Sequence, residues 1–115
     1  MKKYALTKES KQVGGITLYR IKALKSFGIV KKGELGGWIE KEYNLSQEGD
    51  CWVSQNAQVS GRAEVVDCAM VCGNAVINGN IWVGGKVWIN GDLQISCDNL
   101  EECSCIVDIT LSKRG

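Results

Sequence analysis

Cys68 and Cys72 lie four residues apart, and Cys97, Cys103 and Cys105 crowd together near the end of the chain. Thiols this close could hold a soft metal, but a structural zinc site needs four convergent ligands, commonly as paired C-x-x-C units. No such unit occurs. Cysteine nucleophiles need a neighbouring base or positive field to form the thiolate. With 6 cysteines and 0 histidines in 115 residues, imidazole is missing both as a base and as a ligand. Asp67, Asp92 and Asp98 fall in turn-forming contexts, where solvated carboxylates are ordinary. The expectation is structural thiols, no metal, no cofactor and no enzymatic activity.

Charge is the second chemical signal. The net charge of +1 conceals two halves: residues 1–44 carry ten Lys/Arg against four Asp/Glu, and residues 45–115 carry four against nine. Arg20, Lys22, Lys25, Lys31 and Lys32 form a candidate basic contact patch, with Tyr19 and Phe27 among them. The near-neutral total and the lack of a nucleic-acid-reading motif argue against nucleic acid as partner. No apolar run approaches the ~20 residues needed to span a bilayer, and no apolar leader follows Met1, so the expected setting is the cytoplasm, without membrane.

A hexad sets where these groups can lie. From Cys51 the chain reads CWVSQN, AQVSGR, AEVVDC, AMVCGN, AVINGN, IWVGGK, VWINGD, LQISCD. The third place is always Val or Ile, the first is small or apolar, and the fifth is Gly in five of the eight units. Alternation over three residues makes a short strand with its first and third side chains inward. Gly followed by Asn or Asp makes a corner. The absence of proline suits a ladder that uses every backbone N–H.

This pattern, seen in V-S-G-R-A from Val59, resembles the hexapeptide repeat of left-handed parallel β-helices. The resemblance implies an all-β fold in which three hexads close one coil and residues 18 apart stack. Residues 45–98 would form about three coils, residues 1–44 an N-terminal β cap, and residues 99–115 a last strand or partial coil ending in a frayed tail. Within the cap, strands are expected over GITLYRIKAL and around Phe27 to Val30. A second resemblance, carried by Gly36, Gly37, Trp38, Ile39, Asn44, Leu45, Ser46, Gly49, Trp52 and Val53, is to the head of uncharacterised phage and prophage proteins.

The 18-residue register also predicts outward columns. Trp52, Met70 and Trp88, followed by Ile106, form an apolar stripe; Glu64, Trp82 and Leu100 form a second column. Gln58, Val76 and Gln94 form a third that suits solvent. Exposed stripes of this kind mark interfaces, so Trp52, Met70, Trp88, Trp82 and Ile106 are the candidate contact residues, for a homodimer or homotrimer or for a bacterial host protein, with the N-terminal cap folded alongside as a further candidate to cover the stripe. Together with the phage resemblance, this leads to the expectation of a non-enzymatic binding protein, specifically an inhibitor of a bacterial defence system such as an anti-CRISPR. A structural component of a phage is the alternative. A hexapeptide acyltransferase-like enzyme comes third, because that family's general base is a histidine.

Overall fold

The computed structural model describes residues 2–92 and 94–97 and the strand segments 106–107 and 110–113. The strands of the repeat are only two to four residues long because each hexad spends its remaining residues on a corner. After β1 (Tyr4–Val13), β2 (Ile16–Ala23) and β3 (Leu35–Ile39) come β4 (Trp52–Val53), β5 (Gln58–Val59), β6 (Glu64–Val65) and β7 (Met70–Val71). Then follow β8 (Val76–Gly79), β9 (Trp82–Gly84), β10 (Trp88–Gly91), β11 (Gln94–Cys97), β12 (Ile106–Val107) and β13 (Thr110–Lys113). Among the described residues the one helical element is a 3-10 turn at Glu42–Asn44.

Parallel pairing stacks the strands into three sheets, a β-solenoid of about three coils. Val53, Val71 and Ile89 occupy successive layers through β4, β7 and β10 and are fully buried. Val59 and Ile77 stack in the sheet of β5 and β8, and Val65 and Val83 in that of β6 and β9. The first places of the hexads, Cys51, Ala57, Ala63, Ala69, Ala75 and Val87, are equally buried. Each outward residue donates its N–H to the coil above, as Trp52 does to Ala69 O and Met70 to Val87 O.

Among the described residues, two corners have an ordinary residue doing the work of glycine. Gln55 and Asp67 both have φ 59°, a left-handed conformation that L-residues adopt at a cost. Each repays it by capping the coil above: Gln55 Oε1 accepts from Gly73 N at 2.6 Å, and Asp67 Oδ2 from Gly85 N at 2.8 Å. Glu40 Oε1 does the same for Gly61 N at 2.8 Å. Asp67→Ala should cost about 1–1.5 kcal/mol, since it loses the bond and keeps the strain. Asp67→Gly should stay within about 0.5 kcal/mol of wild type, because relief of strain offsets the lost bond. Urea denaturation checks this; equal destabilisation by both would show that strain plays no part.

The cap differs from expectation in three places. β1, unmarked by any apolar alternation, is a ten-residue strand antiparallel to β2 across the Gly14-Gly15 turn. Phe27 to Val30 is a tight turn rather than a strand, closed by Phe27 N–H to Val30 O and Val30 N–H to Phe27 O. LGGWI forms β3, which pairs antiparallel with β2 and parallel with β5, Ile39 opposite Val59. One strand thus joins cap and coils, and stacking begins before residue 45.

At the other end the register changes. β12 pairs Ile106 with Val83, and β13 pairs Trp88 with Thr110. Ile106 therefore does not continue the Trp52–Met70–Trp88 column. These partners are 23 and 22 residues apart rather than 18, so extra residues before β12 shift every later side. The tail expected to fray is a strand through Lys113. Asp98, Leu100, Cys103 and Cys105, and the side chain of Cys97, lie outside the described residues.

Candidate functional site

The column meant as an exposed stripe is only partly exposed. Trp52, Met70 and Trp88 do stack, yet Trp52 is 1% exposed and Trp88 47%. The cap lies over Trp52: the Tyr4 ring meets it edge-on at 6.3 Å and the Phe27 ring at 5.3 Å. Trp52 therefore cannot serve as an open contact residue. Met70 is half-buried, and Trp88 donates its indole N–H to Cys72 Sγ at 2.9 Å.

Beneath Trp52 the cap is pinned by polar groups. Lys3 is 1% exposed, and its three ammonium donors reach Cys51 O at 2.8 Å, Gly49 O at 3.2 Å and Cys51 Sγ at 3.4 Å. The Phe27 ring lies 4.7 Å from Lys3 Nζ. Desolvation pulls the Lys3 amine below its ordinary pKa and pushes the Cys51 thiol up. A thiol held protonated is a poor nucleophile. Tyr4 donates its hydroxyl to Glu42 O and Leu45 O, and burial raises its pKa. Gln47 accepts from Lys3 N–H and Tyr4 N–H. These groups anchor the cap; Lys3, Tyr4 and Cys51 are closed to a substrate, while Gln47 is half-buried.

The basic patch divides. Arg20 donates to Glu9 Oε2 and Gly36 O and lies 4.6 Å from the Trp38 ring, so it is committed to the cap interior. Lys22, Lys25, Lys31 and Lys32 are exposed.

A concavity lies on the second column. After β3 the chain makes the 3-10 turn, and Leu45 pairs parallel with Val65. Asn44 fixes this course: wholly buried, it accepts from Glu40 and Lys41 N–H and donates to Gly61 O and Ala63 O. The 42–49 segment is thereby held beside Glu64 and Trp82, which are register partners on β6 and β9. The cleft has two adjoining parts. One, about 460 Å³, is lined by Glu42, Tyr43, Leu45, Ser46, Gln47, Glu64 and Val66. The other, about 360 Å³, is lined by Ser46, Glu48, Gly49, Val66, Asp67 and Trp82.

Its chemistry is acidic with an aromatic wall. Glu42 is paired with Lys2 at 2.9 Å, and Asp67 is engaged with Gly85 N. Glu48 and Glu64 are exposed. Such a cleft can hold a cationic or amine-bearing molecule and accept a proton from it. Trp82 and Glu64 were placed together by the hexad register; Glu42, Ser46 and Glu48 precede the repeat and carry no such signal. The third column faces a smaller groove, about 220 Å³, under the β1–β2 turn, with Gln58 and Val76 in its wall. Among the described residues no group of three or more Cys, Asp or Glu is arranged to hold a metal ion. No helix among them is long and apolar enough to cross a membrane.

No protein-family profile matches the chain. It is 37% identical over 70 residues to an Escherichia coli (strain K12) protein named uncharacterized acetyltransferase YdcK. The match covers 53% of this chain and 22% of that protein, so the chain spans about a fifth of its relative's length. This likeness overturns two expectations: that the chain is a non-enzymatic inhibitor of a defence system, and that it is no enzyme. The missing histidine does not by itself exclude a general base, since carboxylates and other groups also serve as one.

Proposed function

We propose that this chain is a hexapeptide-repeat acetyltransferase-like protein, with the Glu64–Trp82 cleft as its acceptor site. The observation that carries this is the 37% identity to a protein named as an acetyltransferase. The parallel coil stack supports it, and so does a cleft whose charge suits an amine. The acceptor nitrogen would attack the carbonyl carbon of an acetyl thioester, the C–S bond would break, and the thiol would leave. With 0 histidines in the chain, the proton would pass to a cleft carboxylate, Glu64 being exposed beside the indole. A carboxylate is a weaker base than imidazole at neutral pH, so turnover should be slow and rise with acceptor pKa matching.

The test is calorimetric titration with acetyl-coenzyme A, followed by thiol release on adding primary amines. Binding, amine-dependent thiol release, and a fall of about 100-fold in Glu64→Gln are expected, general-base contributions being about 10²–10⁴-fold. No binding at millimolar acetyl-coenzyme A would overturn the proposal. Thiol release indifferent to Glu64→Gln would remove the cleft from it.

A further inference from the structure

The hairpin joining β2 to β3 is the most exposed apolar feature of the cap. Ile29 at its turn is 73% exposed, Leu35 52% and Leu24 37%. Four exposed lysines surround them: Lys22, Lys25, Lys31 and Lys32. Lys22 is the register partner of Leu35, so charge and apolar surface share one face. The hairpin is rigid enough to present this face. Its turn is closed from both sides between Phe27 and Val30, Lys32 N–H donates to Ser26 Oγ at 3.0 Å, and Ala23 and Glu34 are bonded across its base at 2.9 Å.

The complement is present on the same molecule. The cleft beside Trp82 offers Glu42, Glu48, Glu64 and Asp67 around an apolar floor of Val66 and the indole. The two surfaces lie toward one end. Gly28 of the hairpin turn sits against Asp50, a Cβ there being 3.2 Å from Asp50 Cβ, and Asp50 follows Glu48 by two residues. Two patches of opposite charge near one end are self-complementary about a two-fold axis, where each meets its opposite on a second copy.

We infer that the chain forms a two-fold dimer in which the Ile29 hairpin of each copy docks in the Trp82 cleft of the other. Opposite charges steer the encounter and fix its register, while the apolar contact supplies the salt-independent part. Pairing and acceptor binding would compete for one cleft. The inference is read from molar mass alone, so it stands or falls separately from acetyl transfer.

Light scattering across protein concentration, at low and high salt, is the first measurement. A mass rising to twice the monomer, with weaker association at high salt, is expected. A monomer at millimolar protein in low salt, or growth beyond the dimer, would overturn the inference. Charge reversal supplies the decisive arm. Lys25→Glu/Lys31→Glu/Lys32→Glu inverts the hairpin patch, leaving only Lys22 positive, so that both patches are acidic; Glu42→Lys/Glu48→Lys/Glu64→Lys inverts the cleft, leaving only Asp67 negative, so that both are basic. Each variant alone should be monomeric, with unchanged circular dichroism. Their equimolar mixture should recover the dimer mass, because each patch then meets its opposite. A mixture that stays monomeric, or single variants that still dimerise, would overturn it. An Ile29→Ser protein should weaken the dimer at least tenfold at high salt; no change would likewise count against the docking.

Discussion

Val71→Asp is expected to leave the chain unfolded at every temperature, because its side chain lies in the middle layer of the inward Val53–Val71–Ile89 column. All three are 0% exposed. An aspartate there would face aliphatic groups above and below, with no donor among the buried first-place residues Ala69, Ala75 and Val87. An unpaired carboxylate in such surroundings costs several kcal/mol, to which the loss of valine burial adds about 2 kcal/mol. Domains of this size are stable by only about 5–15 kcal/mol. The check is circular dichroism against temperature, with Met70→Asp as the control on the adjacent, half-buried place. A cooperatively melting Val71→Asp protein would show that the register is wrong.

Gly36→Ala should open the cap while leaving the coils folded. A Cβ at Gly36 would stand 2.6 Å from Ile21 Cγ1, Trp52 Cζ2 and Val53 O. Two of these atoms belong to the coil and one to the cap, so the added methyl acts as a wedge. Overpacking typically costs about 1–3 kcal/mol, and the upper end applies because Val53 O is backbone and cannot rotate away. The readout is Trp52, whose buried indole would become hydrated: its emission should shift to the red, with proteolysis beginning within residues 1–35. Unchanged emission and protection would mean that the methyl is accommodated without opening the cap.

The coils were legible because their rule is local. A β-branched residue at each third place and a turn residue at the fifth determine strand, face and layer together, so the Trp52–Met70, Glu64–Trp82 and Gln58–Val76 pairs could be found by counting 18 residues. The cap has no such period. Nothing in YALTKESKQV announces a ten-residue strand, and Trp52 is covered by Tyr4, Phe27 and Gly36, which are distant in sequence and obey no repeat. Counting fails at Ile106 as well, since extra residues upstream move it to the side of Val83. The cleft was half visible: its Glu64–Trp82 wall belongs to the repeat, and its opposite wall depends on Asn44 meeting Gly61 and Ala63.

The corner caps have a kinetic consequence. Gln55 reaches Gly73, and Asp67 reaches Gly85, each across 18 residues. Loop-closure entropy grows only with the logarithm of loop length, so each further coil closes at the same modest cost. The cap is different: Tyr4 meets Leu45 across 41 residues and Lys3 meets Cys51 across 48. Those contacts must wait for the first coil to emerge, whereas each later coil needs only the one beneath it. Folding should therefore begin with a slow docking at the N-terminal end and then run upward like a zipper, in the order in which a ribosome releases the chain.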